Sequence, residues 1–218
     1  MVNEALACAA RRGLDPAPLA AGAGVTAQML RSPLARVTPT QFGGLWNMIA
    51  TALDDEFFGM DSHRMKSGSF IALSQVVLGA ATGAQALARA CRFMRLVLDD
   101  LGAAPEIAEI PEIPEIAEIP KIDPGCVRLH LTERGAAPPM FTYATFFILV
   151  YGLICWAVGS RIPVHRAAFR CPAPAFEAEY RLMICDNLEF DAPGSFIDLA
   201  PAFLQAPVVQ NAASLKTF

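Results

Sequence analysis

Three histidines, six cysteines and a scatter of arginines are the side chains in this sequence best suited to bind or react. The histidines stand at 63, 130 and 165, and the cysteines at 8, 91, 126, 155, 171 and 185. Local zinc motifs bring two ligands onto one turn through CxxC or HxxxH spacings. The closest cysteines here, Cys171 and Cys185, lie 14 residues apart, so neither a metal nor a cofactor is expected. His130 and His165 fall on strand-like stretches and could approach one another, although a structural or surface role is the simpler reading. Walker loops, dinucleotide-binding glycine fingerprints and GxSxG elbows are absent, and the segment around Gly79 and Gly83 lacks the Lys-Ser/Thr that would bind phosphate. Carboxylates cluster only in one repeat, where they are expected to be solvated. No catalytic constellation emerges, and an enzyme is not expected.

One stretch has the cadence of a DNA-reading motif. Residues 18–32, "PLAAGAGVTAQMLRS", carry Ala20, Gly24 and Leu30 at helix-turn-helix spacing. A recognition helix needs side chains for base edges and phosphates. This one offers Thr26, Gln28 and a single Arg31, and two short helices packed into a core would show the same pattern. The net charge of −4 gives the chain no electrostatic hold on nucleic acid. Arginine far outnumbers lysine and alanine is abundant, as expected of a GC-rich bacterial source. The N-terminus lacks the basic region and apolar run of a secretory signal, so free thiols in a reducing cytoplasm are the default.

Positioning such residues is the task of helices at the start of the chain and short strands later. Asn3 is expected to cap a helix ending at Gly13, Asp15-Pro16 to open a second and Thr26 a third. Thr38-Pro39-Thr40-Gln41 is a capping box, and Phe42, Leu45, Trp46, Ile49, Ala50 and Leu53 then share one helical face. A helix is expected over 67–79, and another from Thr82 to about Leu98, with Leu87, Cys91, Met94 and Leu98 buried and Arg89, Arg92 and Arg95 wetted. Residues 126–131 alternate as a half-buried strand. Strands are also expected over 164–171, 188–191 and 195–199, with a helix over 176–184 and a helical turn at 201–204 before a polar, structureless end.

Two segments stand apart. Residues 105–122 repeat the tripeptide Pro/Ala-Glu/Lys-Ile six times. Proline recurs too often for a helix, and a period of three cannot keep isoleucine on one face of a strand, so polyproline II suits it best. Residues 140–159, "MFTYATFFILVYGLICWAVG", carry no charge and are long enough to span a bilayer. They equally suit the central buried helix of a soluble domain.

"DEFFGM" (55–60), "SGSFIALSQVVLGAATGAQALARACRFMRL" (67–96) and "FRCPAPAFEAEYRLMICDNLEFDAPGSFIDLAPAFLQAPV" (169–208) resemble the N-terminal arabinose-binding-type sensor domain of AraC-type transcription regulators, as found in ornithine-utilisation and virulence regulators. The most specific residues are Thr82, Ala86 and Leu87, and Pro172, Pro174, Glu179, Tyr180, Arg181 and Phe190. The resemblance implies an α+β fold, with helices packed on a small, mainly antiparallel sheet in a single domain over 1–208. It also implies a soluble core helix at 140–159, no membrane, and a hairpin whose loop the repeat has expanded at 105–122. In relatives a helix-turn-helix domain follows, so 209–218 is expected to be the start of a linker toward a DNA-binding domain absent here. Cys171 stands where relatives carry a histidine.

The function expected is effector sensing: a small molecule biases the conformation of the domain and hence of the attached DNA-binding half. Phe70, Phe146, Phe147, Tyr151 and Trp156 are candidate pocket walls, with Arg128, His130 or Arg170 available to an acidic head group. The effector is expected to be mainly apolar with at most one acid group, and a homodimer is possible. An apolar small-molecule or lipid carrier, an enzyme with a hydrophobic cavity, and a pure dimerisation module are the alternatives. Residues 1–218 alone are expected to give no footprint on their own promoter at nanomolar concentrations, where specific binders occupy their sites. A footprint abolished by Gln28→Ala and Arg31→Ala would instead make the 18–32 motif a DNA reader.

Overall fold

The structure, a computed structural model, describes residues 1–32, 34–107 and 125–217. It contains helices and one five-stranded sheet, the α+β class expected. The chain divides into two compact units, Met1–Phe70 and Ile71–Phe218, where the sequence reading treats 1–208 as one domain.

The first unit is a cluster of capped helices. Its elements are α1 (Val2–Arg11), α2 (Pro16–Gly22), α3 (Ala27–Arg31) and α4 (Pro39–Leu53). Asn3 is not a cap: the N-cap falls at Met1, and the Asn3 amide donates instead to the Leu30 carbonyl at 3.5 Å. The remaining caps form as expected. Asp15 accepts from the Ala17 amide and Thr26 from the Met29 amide. Thr38 and Gln41 exchange both bonds of the capping box, at 3.1 and 2.9 Å. Gln41 also donates to the Gly24 carbonyl at 2.7 Å, tying α4 to the α2–α3 turn. That turn needs the φ of +71° that Gly24 supplies. Ala20 and Val25 are buried beneath it, and the Thr26 hydroxyl is committed to its cap. Ala20 and Gly24 of the helix-turn-helix cadence thus have local packing and turn roles.

Residues 54–60 form a tight loop. Asp55 is buried, and its two carboxylate oxygens accept from the Phe57 and Gly59 amides, each at 2.9 Å. Burial pushes its carboxyl above the ordinary aspartate value, against the pull of those amides. Phe58 adopts a φ of +59° and sets its ring edge-on to Trp46, with centroids 4.6 Å apart. Glu56 then holds the start of α5 (Ser69–Leu78), accepting from the Gly68 and Phe70 amides at 2.7 and 2.6 Å.

The second unit carries the sheet. α6 (Gly83–Val97) leads into β1 (Leu101–Ile107) and β2 (Val127–Glu133), then α7 (Met140–Phe147), a π turn (Ile148–Gly152) and α8 (Leu153–Val158). β3 (Val164–Ala168), α9 (Glu177–Met183), β4 (Leu188–Glu189) and β5 (Ser195–Leu199) follow, and the strand order is β1-β2-β5-β3-β4. Every pairing is antiparallel except β3 with β4. β5 lies between β2 and β3, so His130 and His165 sit on strands that are not neighbours. Pro105, Glu106 and Ile107, the first triplet of the repeat, are ladder residues opposite Leu129, Arg128 and Val127. The rest of the tract, 108–122, lies outside the described residues. The end of the chain is not wholly structureless either, since Ser214–Thr217 forms a 3₁₀ turn.

The two faces of this sheet differ in kind. Val127, Leu129, Leu131, Ile197 and Leu199 make one face apolar and buried. On the other, Arg128 stands directly opposite Asp198 and binds it through two 2.6 Å hydrogen bonds, with each side chain 2% exposed. The Phe196 ring lies 3.8 Å from the guanidinium carbon. The pair is the centre of a row that crosses all five strands. Glu106 is opposite Arg128, Asp198 is opposite Arg166, and Arg166 binds Glu189 at 2.7 Å. The register shift at His165 is what turns Arg166 onto this face.

A buried ion pair robbed of one partner leaves an unpaired charge, at a cost of about 3–5 kcal/mol. Asp198→Leu and Arg128→Met should each lower unfolding free energy by that amount in urea titrations. The double variant Arg128→Met/Asp198→Leu should recover most of it, and additive losses would show that the pair is not the unit of stability.

Candidate functional site

The long apolar helix supplies the site. Met140–Val158 is long and apolar enough to cross a membrane, yet 72% of its most apolar stretch is buried within the structure, as in a core helix. Its α-helical hydrogen bonding changes at Ile148–Gly152, where the chain makes a π turn. Such turns insert an extra residue and re-aim the side chains around them. Here Phe147 and Tyr151 become stacked, with centroids 4.2 Å apart and planes at 14°. The Tyr151 hydroxyl donates to the Ile162 carbonyl at 2.6 Å, and the Ile162 amide donates to Cys155 Sγ at 3.4 Å. Burial and the neighbouring Cys155 push the Tyr151 phenol up to about 12, partly opposed by Arg161, so at neutral pH it is a committed donor.

Between this turn and the apolar face of the sheet lies a small cavity of about 10 Å³. Phe147, Val150, Tyr151 and Ile154 form one wall, and Leu129, Ile197 and Leu199 the opposite one. Leu87, Ile162 and Phe203 close the sides. A volume of this size holds about one water, so the cavity is nearly shut as it stands.

Sequence-selected residues divide around it. Phe147 and Tyr151 line the cavity. Phe146 is buried, and Trp156 half-buried, on the same long helix without lining it. Phe70 belongs to the first unit, with its amide held by Glu56. Arg128 and His130 flank Leu129 along β2, and strand alternation therefore puts both on the opposite face from the cavity. Arg128 is bound by Asp198, and His130 contacts Glu106 of the repeat's first triplet. Glu106 is accordingly partly buried rather than solvated.

Arg170 alone among the basic candidates belongs to a cluster on the cavity face. Its guanidinium lies 3.5 Å from Glu133, and its amide donates to Ser195 Oγ at 3.1 Å. Glu133, with a side chain only 6% exposed, accepts from the Tyr143 hydroxyl at 2.5 Å, and Ser195 donates to that hydroxyl at 3.2 Å. Burial, reinforced by Glu133, holds the Tyr143 phenol well above its ordinary value. Glu133 and Ser195 are on the same face of β2 and β5 as Leu131 and Ile197, one alternation further along. Sequence reading missed Glu133, Tyr143 and Ser195. The available signal was a tyrosine inside an uncharged run, because a buried phenol needs a polar partner. Thr145, on α7, is the one described residue with a buried side-chain oxygen lacking a hydrogen-bond partner, but it does not line the cavity.

The six cysteines are free, and burial pushes the Cys91 thiol up to about 12 and Cys171 to about 11. Cys91 and Cys171, both buried, are therefore packing thiols.

An α+β domain with a small apolar cavity between a sheet and a distorted core helix is compatible with a small-molecule-binding domain. The comparisons place it more narrowly. Residues 13–208 match the family described as the arabinose-binding domain of AraC transcription regulators, N-terminal, and the chain belongs to that family. Comparison with curated proteins gives no match.

Tyr143→Phe should cost about 1–3 kcal/mol in denaturant unfolding, because it strips a partner from the nearly buried Glu133 carboxylate. Adding Glu133→Gln should then cost less than it does alone. Strict additivity of the two changes would show that the contact contributes nothing.

Proposed function

We propose that the second unit senses a mainly apolar effector in the cavity at the π turn, and that its occupancy biases a helix-turn-helix DNA-binding domain of the intact regulator. The observation that carries this reading is the lining: ten side chains, all apolar but for Tyr151, whose hydroxyl is already bonded to Ile162. The family description names arabinose. A sugar here would bury hydroxyls without partners, each costing roughly 1–3 kcal/mol. A hydrocarbon or aromatic group suits the walls. An acidic head would find Arg170 on the same face, held by a 3.5 Å contact to Glu133 that a carboxylate could exchange for its own. No catalytic role is assigned to the chain.

The closed volume sets the mechanism. An effector larger than one water requires an expanded arrangement, so binding selects that arrangement over the one described, and the difference between the two is the signal. A ligand that bound both equally would shift nothing.

A thermal-shift screen of sugars, amino acids, fatty acids and aromatic acids tests the reading. At a hundred times its Kd, an apolar acid should stabilise the chain by about 2.7 kcal/mol, or roughly 5–10 °C for a chain of this size. Saturable stabilisation by a sugar or a zwitterionic amino acid, with none from the acids, would overturn it.

A further inference from the structure

Residues 200–209 carry one wall of the cavity on a segment unlike the other walls. Leu129, Ile197 and Leu199 are in the sheet, and Leu87 is inside the fifteen-residue helix α6. Phe203 instead stands on a five-residue 3₁₀ turn, Pro201–Gln205. It is 4% exposed, whereas Pro201, Ala202, Gln205, Pro207 and Val209 around it face solvent.

Backbone clips hold this segment at both ends of the cavity. The Gly83 amide at the start of α6 donates to the Ala206 carbonyl at 2.9 Å, and the Val208 amide donates to the Ala81 carbonyl at 3.2 Å. The Val209 amide donates to the Ala157 carbonyl at the end of α8, at 2.9 Å. Closest approach is at Gly83, where a Cβ would lie 2.2 Å from the Phe203 carbonyl oxygen. Only glycine fits beneath the segment there.

We propose that residues 200–209 are a strap that gates the cavity: an occupant displaces Phe203 and releases the clips at 206–209. This rests on the effector reading above and names how that site is regulated. One buried side chain and four backbone bonds hold the strap, the first of them from the Ala200 amide to the Pro163 carbonyl at its β5 end and the other three at 206–209, whereas the other main walls are embedded in α6, the long helix or the sheet. Expansion therefore yields first at the strap, the least anchored wall. Its outer clips join both the start of α6 and the end of α8, so their release converts a small internal change into an order–disorder change at the surface.

The test needs no effector. Gly83→Ala places a methyl group against the Phe203 carbonyl and should unclip the strap. Hydrogen–deuterium exchange of peptides spanning 203–209 should quicken at least tenfold, while peptides from β2, β5 and the middle of α6 keep their protection. The dye 1-anilinonaphthalene-8-sulfonate, an apolar acid, should then bind at least several-fold more tightly than to the parent chain. Should Gly83→Ala fail to fold, Val209→Pro removes the Ala157 clip at a half-exposed side chain and should have the same two effects. Unchanged exchange in 203–209, or faster exchange with unchanged dye binding, would overturn the strap. Failure of every apolar acid in the thermal-shift screen would count against the effector reading alone, because the strap variants are measured without one.

Discussion

The Arg128–Asp198 pair is the constraint on which the sheet depends. Removing two charges from water is repaid only by close geometry, and here both guanidinium bonds to the carboxylate are 2.6 Å long. The partners are directly opposite on β2 and β5, the two central pairing strands. A one-residue slip would send Arg128 into the apolar face and Leu129 out of it. The pair thus sets the register of the whole ladder. Glu106 on one side, and Arg166 with Glu189 on the other, extend the same alternation of sign to the edge strands.

That register also separates two chemistries. With the Arg128–Asp198 row on one face, the part of the other face opposite the π turn is left apolar, and the cavity forms there. The polar cluster of Glu133, Tyr143, Ser195 and Arg170 marks where the apolar face gives way. On the proposed reading, an effector at this site would meet hydrocarbon first and one exchangeable ion pair at its margin. The same division explains why the described cavity is so small: its walls are ordinary core side chains packed to core density. Opening it costs packing, and an effector must return that cost through its own buried surface.

The first unit is held differently, by capping rather than by a sheet. Asp15 and Thr26 each cap a short helix, Thr38 caps the longer α4, and Gln41 and Glu56 use side-chain oxygens or amides to fasten a neighbouring turn. The Asp55 turn adds left-handed φ values at Phe58 and Gly59, and the Phe58 ring is thereby placed on Trp46. Short helices with few buried side chains depend on such terminal bonds, because their backbone groups have few other partners.

Local chemistry was legible in the sequence. The caps, the helices at 39–53 and 83–97, the strands near 127 and 195, and the long buried helix all follow from periodicity and capping over a few residues, and the family was readable from motifs in 55–96 and 169–208. Asn3 misled because a helix can begin at Met1 without a side-chain cap. The tripeptide period hid the fact that Pro105–Ile107 belong to β1, since pairing with β2 overrides a local pattern. The site was only half legible. Phe147 and Tyr151 were marked by their apolar surroundings, but Arg128 and His130 were not distinguishable from free head-group contacts. Their fate depended on Asp198, seventy residues away in the chain, on Glu106, and on which face β2 turns inward. Strand order, register, the π turn and the closing of Phe203 over the cavity are all decided by contacts between distant segments. Such contacts leave no local trace in the sequence, so only the tertiary structure could assign them.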